Sequence, residues 1–342
     1  MTKHRTTLKD IAIKLGTSTT TVSKALKDYP DISLATKMAV LKMAKKMNYE
    51  PDMRALALKN GKSNIIGVII PEVAHHFFSN ALDGIMKHAE KKGYKIILTS
   101  SYNSLKKERK QLKFLFNKKV DGIIVSLANE TKKVKHFDIL KKYEIPIVMF
   151  DKVNESFECS KVSIDDEKSA YVATKFLLDK GCKKIAHIKG PRHPLNSVSR
   201  FEGYKKALEE HNIEINPELI KECKEVTIEE GYNFTRELLT QVNKPDGIFA
   251  VTDQVGVGAI QAAQSLGIKV PEELKIIGFS DSQIATIIRP NLTTIHQPNF
   301  EIGKTAINML IKEIELLEKV ETADFEYEQQ ILDTYLVERE ST

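Results

Sequence analysis

Asp165, Asp253 and Asp281 each stand just after an apolar, β-rich run of residues. An ionised carboxylate accepts two hydrogen bonds from neighbouring hydroxyls, so carboxylates gathered around one opening suit a polyhydroxylated ligand. Capping the next helix is the commoner role for any single one of them, and that alternative stays open. Nothing else in the chain reads as reaction chemistry. There is no G-x-x-x-x-G-K-[ST], no G-x-G-x-x-G after a strand, no H-E-x-x-H and no G-x-S-x-G. The nine histidines are scattered, and the only adjacent pair, His75-His76, does not suggest a metal. The expectation is a binding protein without catalytic residues, metal or cofactor, and not an enzyme.

Those aspartates need elements to present them. Apolar runs at 65–70, 95–98, 122–125, 146–150, 162–164, 185–188, 247–251 and 275–279 alternate with longer helical stretches. Continuous apolar strands are covered on both faces, which implies parallel sheets with helices on each side. Eight such units exceed what one open sheet needs, so the reading is two similar halves with a cleft between them. Ligands of such sheets bind outside the carboxyl ends of the strands, where the three aspartates lie.

The segment 8–23 has a different character. Leu8, Ile11, Ala12 and Leu15 share one helix face, Thr7 with Asp10 forms a weak capping box, and Gly16 suits a left-handed helix end. Ser18 offers a second N-cap, followed by Val22, Ala25 and Leu26 on one face. A helix so short and rich in Thr has little stability of its own, so packing must hold it and its polar side is free to face something. The readings are a helix-turn-helix that reads DNA or a plain helical hairpin. A third pattern from Ser33, with Val40, Met43, Ala44 and Met47 at core spacing, completes a domain of DNA-reading size. Residues 1–62 hold 13 Lys and Arg against five Asp and Glu, net +8, whereas the whole chain is +6. A basic head on a body of −2 is the asymmetry of a nucleic-acid binder, although a solvated lysine-rich face would look the same.

At 342 residues and 42% hydrophobic content the chain has room for two or three domains with buried cores. It contains no apolar stretch of transmembrane length and no signal-peptide pattern at its start, so a cytoplasmic address and no membrane partner are expected. Cys159, Cys182 and Cys223 lack metal-ligand spacing and read as reduced thiols.

The stretch 8–59 closely resembles the lactose-repressor and galactose-repressor family of bacterial transcription regulators. Leu-Lys-Asp-Ile-Ala, Ser-Thr-Thr-Thr-Val-Ser, and Asn-Tyr-Glu-Pro before Ala-Leu-Ala-Leu-Lys carry the likeness. Lys119-Val120-Asp121-Gly122-Ile123-Ile124-Val125, Ile277-Gly278-Phe279-Ser280-Asp281 and Leu292-Thr293-Thr294-Ile295-His296-Gln297-Pro298 extend it over the body.

The resemblance implies an all-α helix-turn-helix head at 1–49, a hinge helix at 50–62 and a core at 63–342. That core would be α/β, with two doubly wound parallel-sheet subdomains of the periplasmic-binding-protein type. The N-subdomain would span 63–165 and 296–328, the C-subdomain 166–295 and 329–342, with chain crossings near 165, 295 and 328.

It further implies that Thr19, Thr20 and Lys24 read bases, and that Ser23, Thr36 and Tyr49 contact phosphate. Leu58, from a short hinge helix, would wedge into the minor groove. Packing of Leu56 and Leu58 against the head or core is the alternative.

In the core it implies effector contacts from Phe77, Phe78, Arg200 and Asp281, to which the strand-end reading adds Asp165 and Asp253. Between Gly190 and Arg200 the chain has Pro194, Asn196, Ser197 and Ser199, a departure from purine-binding members. Asn196 with Arg200 and aspartates suits a sugar or sugar derivative. The implied partners are a pseudo-palindromic double-stranded operator, that small molecule and a second copy in a homodimer, with no tetramer-forming leucine heptad at the C-terminal end. A soluble sugar receptor without DNA activity is the alternative function.

Overall fold

A computed structural model of the chain describes residues 6–50, 62–317, 319 and 326–342. The chain forms two compact units, residues 1–63 and 64–342.

The first unit holds helices α1 (Leu8–Leu15), α2 (Thr19–Leu26) and α3 (Leu34–Lys46). Each starts at a hydroxyl. Thr7 and Asp10 close a full capping box, Ser18 accepts from the Thr21 amide, and Ser33 accepts from the Thr36 amide. Gly16 ends α1 at φ 61°, a left-handed conformation open to glycine without steric cost. The core is small: Ile11, Ala12, Val22, Ala25, Val40 and Ala44, with Leu8, Leu15, Met43 and Tyr49 packed around it. Complete burial of Ile11 and Val22 contributes about 1.5–3 kcal/mol each, enough to hold helices that would be marginal alone.

The second unit contains two six-stranded sheets. The first runs in the order β11-β5-β4-β3-β1-β2, all parallel. Its strands are β1 (Ile65–Ile70), β2 (Lys95–Ser100), β3 (Gly122–Val125), β4 (Ile147–Phe150), β5 (Ser160–Ile164) and β11 (Gln329–Leu332). Helices α4 (His76–Lys91), α5 (Leu105–Asn117), α6 (Asp138–Lys142) and α12 (Asn299–Leu317) belong to this lobe.

The second sheet runs β12-β10-β9-β8-β6-β7, with only β12 antiparallel. Its strands are β6 (Ile185–Lys189), β7 (Ile220–Glu222), β8 (Gly247–Ala250), β9 (Lys275–Ser280), β10 (Thr293–His296) and β12 (Tyr335–Val337). Around them lie α7 (Asp166–Asp179), α8 (Leu195–Glu210), α9 (Ile228–Leu239), α10 (Asp253–Ser265) and α11 (Ile284–Ile287). Strands β3, β4 and β8 are buried along their whole length, as strands covered on both faces must be.

The chain passes between lobes after β5, after β10 and between β11 and β12. The last crossing corrects the expected boundary at 328. Residues 329–332 pair in parallel with β5 and belong to the first lobe, so the chain crosses at Asp333 and Thr334. Close contact between α4 and α12 depends on two glycines. A Cβ on Gly84 would lie 2.2 Å from the Phe300 carbonyl oxygen, and one on Gly303 would lie 1.9 Å from that of Ala81.

Candidate nucleic-acid interface and ligand cleft

In the first unit, the caps that start α2 and α3 also determine what faces outward. Val22 and Ala25 turn into the core, which leaves Thr19 and Thr20 exposed and Ser23 and Lys24 at the edge. Two hydroxyls at a helix N-terminus can donate to or accept from base edges. Thr36 sits in the first turn of α3, where free amides favour an anion, and its hydroxyl bonds that of Ser33 at 2.8 Å. Tyr49 is half-buried against the core of the head. The Lys24 ammonium meets Asp31 at 2.5 Å, which raises the lysine pKa and lowers that of the aspartate. Asp31 carried no signal in the sequence beyond its charge. Leu58 lies outside the described residues.

In the second unit, strand ends of both lobes converge on a cleft with about 680 Å³ of free space continuous with solvent. Phe77 and Phe78 form one wall, edge to face at 5.0 Å, with Phe78 also against Phe150 at 6.2 Å. Arg200 is buried and doubly held: its Nε donates to Asp166 at 2.7 Å and its Nη1 to the Val251 carbonyl at 2.8 Å. Its guanidinium also lies 3.6 Å over the Phe279 ring. Burial pushes Asp166 up to about 6 against the opposing pull of Arg200.

Across from Arg200, Asp151 and Lys152 follow β4 in the first lobe. Asp151 has φ 58°, a left-handed conformation that costs a non-glycine residue about 1–3 kcal/mol and turns its side chain into the cleft. It accepts from Asn196 Nδ2 of the other lobe at 3.3 Å, a hydrogen bond across the cleft. The Lys152 ammonium donates to Asn129 at 2.6 Å and Asn103 at 3.3 Å, and Asn103 in turn donates to Glu72. Burial pushes the Asp151 carboxyl up and the Lys152 ammonium down.

Gln297, at the second crossing and only 2% exposed, accepts from the Ser280 hydroxyl at 2.8 Å, while its side-chain nitrogen has no partner among the described residues. His75 on the same wall is held neutral, its pKa pushed down to about 4 by burial and by Lys152 and Arg200.

Of the expected ligand contacts, Phe77, Phe78, Asn196 and Arg200 line this cleft. Asp165, Asp253 and Asp281 do not line it, and each has structural work. Asp165 caps α7 by accepting from the Lys168 amide at 2.9 Å. Asp253, fully buried, accepts from the Ser282 amide at 2.6 Å and the Thr294 hydroxyl at 2.5 Å, and burial raises its pKa to about 6. Asp281 binds Arg339 at 2.5 Å and His296 at 2.9 Å; burial pushes its pKa up, but these two bonds together hold it below the usual carboxylate value. Their strand-end position foretold a polar role and could not say which.

Two stretches of the chain match family models: residues 7–52 that of bacterial regulatory proteins of the lacI family, and residues 174–342 that of the periplasmic-binding-protein-like domain. The catabolite control protein A of Priestia megaterium is 34% identical over 307 residues, 90% of this chain and 92% of its own. The chain belongs to the LacI family. The ribose operon repressor of Halalkalibacterium halodurans is likewise 34% identical, over 98% of this chain and 97% of its own length. A solved complex of the transcriptional regulator CelR with cellobiose superposes with a TM-score of 0.74 at 26% identity, covering 99% of this chain and 100% of that one. As a LacI-family member the chain is a DNA-binding transcription regulator and not an enzyme. The three capped helices are its helix-turn-helix domain, and the two-lobed unit is its ligand-binding domain. No helix among the described residues is long and apolar enough to cross a membrane.

Proposed function

We propose that the chain is a homodimeric repressor whose operator affinity is set by an uncharged polyhydroxylated molecule, a sugar or sugar derivative, held between the lobes. The observation that carries this reading is the charge balance of the cleft. Arg200 is matched by Asp166, Lys152 stands beside Asp151 and Glu72, and Glu225 also lines the cleft, so no unmatched cation is left to select an anion. What remains for a ligand is an aromatic wall and the amides of Asn103, Asn129, Asn196 and Gln297, which donate and accept as hydroxyls require. The names of the ribose operon repressor and the CelR–cellobiose complex favour the same chemistry. In this reading Thr19, Thr20 and Lys24 touch bases, and Ser23, Thr36 and Tyr49 touch phosphates. Leu58 wedges the minor groove, and each half of a pseudo-palindromic operator takes one head.

The test is thermal unfolding of the full chain with neutral mono- and disaccharides, phosphosugars and nucleobases. A neutral sugar should raise the unfolding temperature, because at 100 times its Kd a ligand adds about 2.7 kcal/mol. A shift with a phosphosugar or nucleobase alone would reject the neutral-sugar reading. That sugar should also change operator affinity.

A further inference from the structure

We propose that the face of the first lobe formed by α5 and residues 130–144 binds the phosphate backbone of double-stranded DNA, as a second surface separate from the helix-turn-helix. Residues 104–144 carry 12 Lys and Arg against five Asp and Glu, net +7, whereas the rest of residues 63–342 carries −9. Lys106, Lys107, Arg109, Lys110 and Lys113 lie exposed along α5, and Lys118 and Lys119 follow.

None of these seven has a carboxylate within 4.0 Å among the described residues. Other helices of the unit balance their charge, with Lys87–Asp83 on α4, Lys175–Asp179 on α7, Lys205–Glu202 on α8 and Lys304–Glu301 on α12. On α5 the cations repel at i,i+3 and i,i+4 spacing, and Lys106 and Lys107 oppose the positive end of the helix dipole. Ser104 at its start makes no side-chain cap. Lys107 lies 4.4 Å over the Tyr102 ring and Lys118 5.3 Å over that of Phe114, which offsets little of this repulsion. A helix that breaks its local rules with so little internal compensation points to an external partner.

The face is also built. Glu108, the acid on α5, is turned inward and fully buried. It accepts from the Ala128 amide at 2.7 Å, the Thr131 hydroxyl at 2.8 Å and His136 Nε2 at 2.8 Å. That anchors the loop bearing exposed Lys132, Lys133 and Lys135 beside the helix. The Phe116 and Tyr143 rings, 5.0 Å apart, join the far end of α5 to the end of α6, where Lys142 is exposed.

The residue type selects the partner. All but one of these cations are lysine, which is depleted in protein–protein interfaces and lacks the fork that arginine offers to phosphopeptides. Flexible point charges suit a repeating backbone of phosphates read without sequence.

The experiment compares the full-length protein with its K106Q/R109Q/K110Q/K113Q variant on a duplex lacking operator sequence, as log affinity against log salt. Each lost phosphate contact removes about 0.9 from the slope, so the variant's slope should be shallower by about 3.6. Gln retains helix propensity and relieves repulsion, so its thermal midpoint should be equal or higher. Lys132→Gln, Lys133→Gln and Lys135→Gln together should flatten the slope by about 2.7, a second reading that leaves α5 untouched. Unchanged slopes in both folded variants would overturn the proposal. So would equally tight binding of polyglutamate that the same changes abolish, because the face would then be a site for acidic protein.

Discussion

The head and the cleft solve opposite problems with polar side chains. In the head, a core of six small and medium side chains holds three helices, and Thr19 and Thr20, the proposed base contacts, stand exposed to solvent. In the cleft, the polar groups are buried or half-buried and hold one another: Arg200 with Asp166, Asp151 with Asn196, Lys152 with Asn103 and Asn129. A surface reader can lose one contact and keep its fold. A buried network cannot, because removal of one member leaves a desolvated charge behind.

That difference can be broken most forcefully at Arg200. Arg200→Ala should cost about 3–5 kcal/mol in urea unfolding of the second unit, because Asp166 stays buried without its cation. A loss below about 1 kcal/mol would show that the network is not a fold determinant.

A pH series sharpens the same contrast at His187, fully buried and stacked 4.6 Å from Phe249, its pKa pushed down to about 3 by burial. The unfolded chain binds this proton below about 6.5 and the folded chain does not until about 3. The stabilising contribution is therefore complete above pH 6.5 and is lost on acidification, at up to about 1.4 kcal/mol per pH unit. Relative to His187→Phe, the wild type should lose stability as pH falls from 6.5; parallel pH profiles would contradict this burial argument.

The smallest effects belong to the head. Thr20→Ala should cost at most about 1–3 kcal/mol of discrimination between operator and other DNA, with ligand affinity unchanged. Thr7→Ala should lower helical content in the head with a loss of about 1 kcal/mol from its capping box. A Thr20→Ala variant that bound operator and random duplex in the original ratio would remove Thr20 from the base contacts.

The two regions also differ in how far residue order reveals them. The head is local: Thr7, Gly16, Ser18 and Ser33 mark helix ends within a residue or two of where the caps form. The longer apolar runs likewise become strands, because continuous burial writes a continuous pattern. Strands β7, β10, β11 and β12 were not among those runs. They are three or four residues long, and Gln329–Leu332 is mostly exposed at a sheet edge, so no hydrophobic pattern marks it.

The cleft is assembled from residues more than 200 apart, such as Glu72 and Gln297. Asp151-Lys152 after a strand looks like any polar turn; only its positive φ and the partner Asn196 distinguish it. Conversely, the pattern that singled out Asp253 and Asp281 is the one an internal cap or ion pair also writes. The fully buried Glu108 shows the same gap, because charge alone does not say which way a side chain faces.

Under the proposed function, ligand in the cleft and DNA on the head share one equilibrium. It is tested most directly by the operator affinity of the full chain, at fixed salt, with and without a saturating sugar found by thermal shift. The operator itself would be selected from random duplexes. The expected change is about 5–150-fold in Kd, the usual range of coupling between two sites, and it should be lost in Gln297→Leu together with sugar binding. Equal operator affinity at zero and saturating sugar would contradict it.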